Sequence, residues 1–77
     1  MREQIKSIIV EKLLKDDTIV IDDTTPLISS AIIDSISTLK LVDYLEKEFN
    51  VEFEAHEVDK DNLDSIELIE NFIKSKM

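Results

Sequence analysis

The sequence predicts an all-α fold, a four-helix bundle with three main helices, one short third helix and a long first loop. Three observations carry that expectation. Apolar residues recur at helical spacing in three separate stretches. The single alternating stretch, Val51-Glu52-Phe53-Glu54, has no second strand to pair with and is read as an extended connector. The 77 residues contain no glycine, so the Asn-Gly and Asp-Gly turns of tight hairpins are missing, as are the glycine-rich loops that cradle phosphates. A chain of this length is read as a single domain, residues 1–77, near the lower limit for an unassisted hydrophobic core, and its 43% hydrophobic residues suffice to build one.

Ile5, Ile8, Ile9, Leu13 and Leu14, interspersed with Glu3, Lys6, Glu11 and Lys12, predict an amphipathic helix over residues 3–15. Residues 16–33 hold no sustained period and are rich in turn and cap formers, among them Asp16, Asp17, Asp22, Asp23, Thr24, Thr25, Pro26, Ser29 and Ser30. Ile19, Val20, Ile21, Leu27, Ile28, Ile32 and Ile33 are expected to anchor this loop on the bundle, with one helical turn within 24–30. The period returns in a second helix over 35–49, where Ile36, Leu39, Val42, Leu45 and Phe49 form a broad apolar face with Leu41 beside it. Asp34 is placed to cap it, and Asn50 suits the left-handed residue that ends it. A short helical turn is expected within 56–61. Ile66, Ile69, Phe72 and Ile73 mark the last helix, over 64–74.

Eighteen acidic residues against nine basic ones give a net charge of −9. Nucleic acid and anionic membrane surfaces would be repelled, so the partners expected are basic protein surfaces. The ends of the chain are mildly basic and residues 16–70 carry the whole acidic excess, as a docking surface or a solubilising one. Without cysteine there is no disulfide, no cysteine-based zinc site and no thiol of the chain's own. No signal peptide and no membrane-spanning run are read, which implies a cytoplasmic monomer with no membrane insertion.

No catalytic residues are assigned. The single histidine, His56, lies in an acidic connector, is expected to be solvated or to help cap the short helix, and has too little protein around it to exclude water from a hydrolytic site. No metal site is assigned either. Asp59, Asp61 and Glu70 match three places of a calcium loop, but Leu63 and Asp64 occupy the places that need an oxygen ligand and a glycine. A serine acceptor remains. Ser35 follows the capping Asp34, where a phosphate ester would meet unpaired backbone amides and the positive end of the helix dipole. Leu63-Asp64-Ser65-Ile66 repeats the same letters at another helix start, and local chemistry alone does not separate Ser35 from Ser65.

The run from Pro26 through Asp34-Ser35-Ile36, followed by Ser37-Thr38-Leu39-Lys40-Leu41-Val42-Asp43-Tyr44-Leu45-Glu46-Lys47-Glu48-Phe49, resembles the heart of the acyl carrier protein family. Length, acidity, long first loop and short third helix extend the resemblance over the whole chain. It implies a four-helix bundle of acyl-carrier type, with Ser35 bearing 4′-phosphopantetheine derived from coenzyme A. On that resemblance Asp34 caps the helix and orients the serine and the metal of the transferase. Position favours Ser35 over Ser65, because the family's acceptor lies near mid-chain with a partner-facing helix behind it. The implied partners are a phosphopantetheinyl transferase, an acyl- or aminoacyl-loading (adenylating) enzyme and downstream transfer enzymes.

Residues 36, 40, 43 and 47 share one side of the second helix. Ile36 and Asp43 suit the family's partner face and Leu39 borders it; Lys40 does not fit that pattern and is the exception that tunes partner choice, and Lys40 and Lys47 are counted with the other three as partner-binding residues. Ala31 stands where freestanding D-alanyl carriers place a glycine, and Ser37, Thr38 and Lys40 stand where housekeeping fatty-acid carriers place acids. Both departures point to a dedicated aminoacyl or specialised acyl carrier. The alternative from another class is a small acidic helical interaction domain without a prosthetic group.

Overall fold

The computed structural model describes residues 1–15 and 20–77, and the described residues contain helices and no strand. The first helix, α1, runs Arg2–Ser7 and continues without a break as a π-helical segment, Ile8–Leu14. Its total span matches the helix expected over 3–15, but the seven-residue widening was not anticipated. π-helical turns are rare, because i→i+5 hydrogen bonding opens the helix around its axis, and sequence periodicity does not distinguish them from α. Lys15 ends the helix at φ 53°.

Helix α2 is Ser35–Phe49, with Asp34 as its N-cap and Asn50 left-handed at its C-terminus (φ 54°, ψ 49°), as the sequence predicts. The short turn expected within 56–61 is two pieces, a 3₁₀ turn at Ala55–Glu57 and α3 at Lys60–Leu63. Glu54 and Glu57 close a reciprocal capping box around the 3₁₀ turn, and His56 stays exposed with Nδ1 3.5 Å from Glu54 Oε2, so the capping role expected of it falls to the two glutamates. Helix α4 is Ile66–Lys76, two residues later at each end than expected, because Ser65 rather than Asp64 caps it.

Helix α1 packs on α4, its π-helical continuation on α2, and α3 on α4. The core is aliphatic: Ile5, Ile8 and Ile9 from the first helix, Leu41, Val42 and Leu45 from α2, and Leu63, Ile66, Ile69 and Ile73 from the last third of the chain. Ile21, Leu27 and Ile33 are buried in it, and Ile28 and Ile32 pack against it, so the long loop is anchored as expected. Ile19 lies outside the described residues, as do Asp16 and Asp17. Val20 is 89% exposed and anchors nothing. The helical turn expected within 24–30 is instead a tight turn over 28–31.

The largest correction concerns α2. Ile36 and Leu39 were expected on its apolar face with Val42, Leu45 and Phe49, yet they are 67% and 63% exposed. The buried stripe runs through Thr38, Leu41, Val42 and Leu45. On a helical wheel the exposed pair lies with positions 40, 43 and 47, on the side opposite that stripe. Apolar character alone did not say which side of the helix faced the bundle.

Candidate functional site

Four local devices present Ser35. Asp34 adopts an extended backbone and its carboxylate accepts the Ser37 N–H at 2.7 Å. The Ser37 amide and hydroxyl hold the Asp34 carboxyl below its ordinary range, so it is charged at neutral pH. Its carbonyl accepts both the Thr38 amide (2.9 Å) and the Thr38 hydroxyl (2.7 Å). The capping work is thereby done by neighbours, and Ser35, first residue of a fifteen-residue helix, is left exposed at the positive end of the dipole.

The approach to Ser35 is held from a distance. The carboxylate of Asp64 accepts the Ile28 amide (2.8 Å), the Ser29 amide (2.9 Å) and the Ser29 hydroxyl (2.6 Å), while its carbonyl accepts the Leu27 amide at 2.6 Å. Burial pushes the Asp64 carboxyl up, but the bonds from Ser29 and Ile28 outweigh it and leave the group below its ordinary range. Two further bonds, Ala31 N–H to the Ile28 carbonyl (3.0 Å) and Ile33 N–H to the Leu27 carbonyl (3.1 Å), close the loop on itself. Ala31 makes the bend at φ 60°, the left-handed region where a side chain crowds the backbone.

A cleft of about 470 Å³ opens beside Ser35 and Asp34, walled by Ile28, Ala31, Ile33, Leu39 and Val58. The exposed Ser35 hydroxyl therefore adjoins a partly apolar surface. Along the exposed side of α2, Ile36, Leu39, Lys40, Asp43 and Lys47 all face outward, and Lys47 Nζ pairs with Asp43 Oδ2 at 3.1 Å.

The other candidates are committed elsewhere. Ser65 is only 8% exposed, and its hydroxyl accepts the Leu68 N–H at 3.1 Å as the N-cap of α4. The structure thus separates two triplets that sequence chemistry left equivalent. Asp59 caps α3, and Glu70 receives Arg2 Nε at 2.8 Å, which holds the Glu70 carboxyl below its ordinary range; Arg2 also meets Asp23 at 2.6 Å. Sequence reasoning missed the hold of Asp64 on the loop and the two hydrogen bonds that Thr38 donates to the Asp34 carbonyl. The first spans 36 residues and leaves no local pattern.

No helix among the described residues is long and apolar enough to cross a membrane. A family model described as the phosphopantetheine attachment site matches residues 3–73. No curated protein matches the chain.

Proposed function

The chain belongs to the acyl carrier protein family, whose members bear 4′-phosphopantetheine, and from that premise we propose that Ser35 carries the group and that the protein ferries an acyl or aminoacyl cargo between enzymes. An acidic interaction domain without a prosthetic group does not agree with that membership. In this family the group supplies a thiol on which the cargo rides as a thioester, which suits a chain with no cysteine of its own. The observation that supports Ser35 is the contrast between the triplets: an exposed hydroxyl at 35, a buried and hydrogen-bonded one at 65.

The chain's own residues have three tasks. Ser35 offers its oxygen to the pantetheine-bearing phosphorus of coenzyme A: the new P–O bond would replace the pyrophosphate bond, adenosine 3′,5′-bisphosphate would leave, and the hydroxyl proton would pass to a base of the transferase. Asp34, charged and fixed by Ser37, holds the first turn of α2 so that the new phosphate meets the positive end of the helix. Leu27 and Ile33, buried, and Asp64 through its loop bonds keep the approach to Ser35 in one conformation. A substrate carrier needs no more, and we assign this chain no catalytic residue.

The partners we propose are a phosphopantetheinyl transferase using coenzyme A, a loading enzyme of the adenylating type and downstream transfer enzymes, meeting the protein over Ile36, Leu39, Lys40, Asp43 and Lys47. Ser37, Thr38 and Lys40 favour a dedicated aminoacyl or specialised acyl carrier over the housekeeping fatty-acid type, while Ala31 departs from the glycine of the freestanding form. We propose that residues 1–77 act as one carrier domain, monomeric and cytoplasmic. The test is to incubate the protein with coenzyme A, magnesium and a broad-specificity transferase and to weigh it intact. A mass gain of one phosphopantetheine that Ser35→Ala abolishes is expected. No gain under conditions that modify a control carrier would refute the assignment.

A further inference from the structure

The proposed function draws on Lys40 and Lys47 of α2 but not on the two lysines that line the same groove from the end of the first helix. Four of the chain's nine basic residues, Lys12, Lys15, Lys40 and Lys47, line a single groove of about 460 Å³ between the end of the first helix and α2. In a protein of net charge −9 such a concentration of cations is out of keeping with the whole. Among the described residues that line it, Asp43 is the one carboxylate, and Lys47 pairs with it at 3.1 Å. Tyr44, half-buried, supplies an amphipathic ring to the groove and packs its other side on the core. Lys12 lies within the π-helical segment and Lys15 immediately after it, the kind of widened turn that recurs at functional sites.

We infer that this lysine groove docks an acidic surface of a protein partner, an enzyme that acts on the group carried at Ser35. The location rests on the carrier function proposed above; the charge complementarity does not. Lys40 and Lys47 lie five and twelve residues beyond Ser35, about 7 and 18 Å along the helix axis at ~1.5 Å per residue. A protein reaching over Ser35 and the exposed pair Ile36 and Leu39 therefore meets the lysines within the same footprint. That combination of an apolar spot with a charged flank is how interfaces divide anchoring from steering. A small phosphorylated ligand fits less well, because the groove is open and the glycine-free chain offers no cradle of backbone amides.

The experiment titrates the isotope-labelled full chain with a decaglutamate peptide at low ionic strength and follows backbone amide shifts. Saturable shifts confined to Lys12, Lys15, Lys40, Tyr44 and Lys47, fading with added salt, are expected. Lys12→Glu with Lys40→Glu should raise the apparent Kd about tenfold or more, as reversal of steering charges does at low salt, with the helical spectrum intact. Unmoved lysine amides, or shifts scattered over the surface, would overturn the inference. So would inorganic triphosphate saturating the groove where decaglutamate fails, which would make it a small-anion site. Concentration-dependent shifts of the same amides in the protein alone would assign it to a second copy and overturn it equally. Ser35→Ala separates the two proposals, since it removes transferase-dependent mass gain and leaves peptide binding unchanged.

Discussion

Replacing Ala31 by glycine is expected to stabilise the protein. Ala31 holds φ 60° within the turn that leads to α2. An L-residue with a Cβ in the left-handed region bears about 1–2 kcal/mol of crowding that glycine does not. Against this, glycine raises the entropy of the unfolded chain by about 0.4–1 kcal/mol. The Ala31 methyl is exposed, so little packing is lost with it. The balance is a gain of about 0.5–1 kcal/mol, which for a domain of this size corresponds to a rise in Tm of roughly 3–6 °C. Thermal and urea unfolding followed by circular dichroism measure it. Asn50→Gly is the control: Asn50 sits at φ 54°, but asparagine tolerates the left-handed region, so its gain should be much smaller. A loss at Ala31, or equal gains at both positions, would refute the reasoning, because either would mean that the Cβ is not the source of strain.

Ser65→Ala should leave transferase-dependent mass gain intact while costing about 1 kcal/mol of stability through the lost α4 cap, read from urea unfolding. Asp34→Ala should lower both Tm and the rate of loading by the transferase, and normal kinetics would remove the cap from the presentation of Ser35. Asp64→Asn should slow loading and speed amide exchange at Ile28 and Ser29, without touching the acceptor itself. Acid should destabilise the fold: the carboxyls of Asp34, Asp64 and Glu70 are held below their ordinary range when folded, so the unfolded chain binds their protons first. Their contribution is complete above about pH 5 and is lost as pH falls through about 4 and below. A urea midpoint unchanged between pH 7 and pH 3.5 would contradict this.

What could be read in advance was local. Asp34 and Asn50 fixed both ends of α2 because caps act within a few residues, and the aliphatic periodicities of the first and last helices placed them to within two residues. What escaped depends on distance. The exposure of Leu39, and the choice between the two faces that the sequence offered for Ile36, are decided by where the rest of the bundle lies, and both residues are as apolar as those that are buried. The convergence of Lys12 and Lys15 with Lys40 and Lys47 joins residues from two helices separated by the long loop. The difference between Ser35 and Ser65 is likewise a matter of burial, since the letters around them agree.

The repeated Asp-Ser-Ile triplet has one last consequence, and it concerns time. The amides of Ile28 and Ser29 find their acceptor 36 and 35 residues further along, on the aspartate of the second triplet. The approach to the first triplet therefore cannot be completed before Asp64 is in place, since a long loop must close before those bonds can be made. During synthesis Ser35 emerges early but lacks its finished setting until the start of the last helix has followed it out and docked. A transferase that reads this setting would modify completed molecules in preference to nascent ones, and the second triplet would act as the clock for the first.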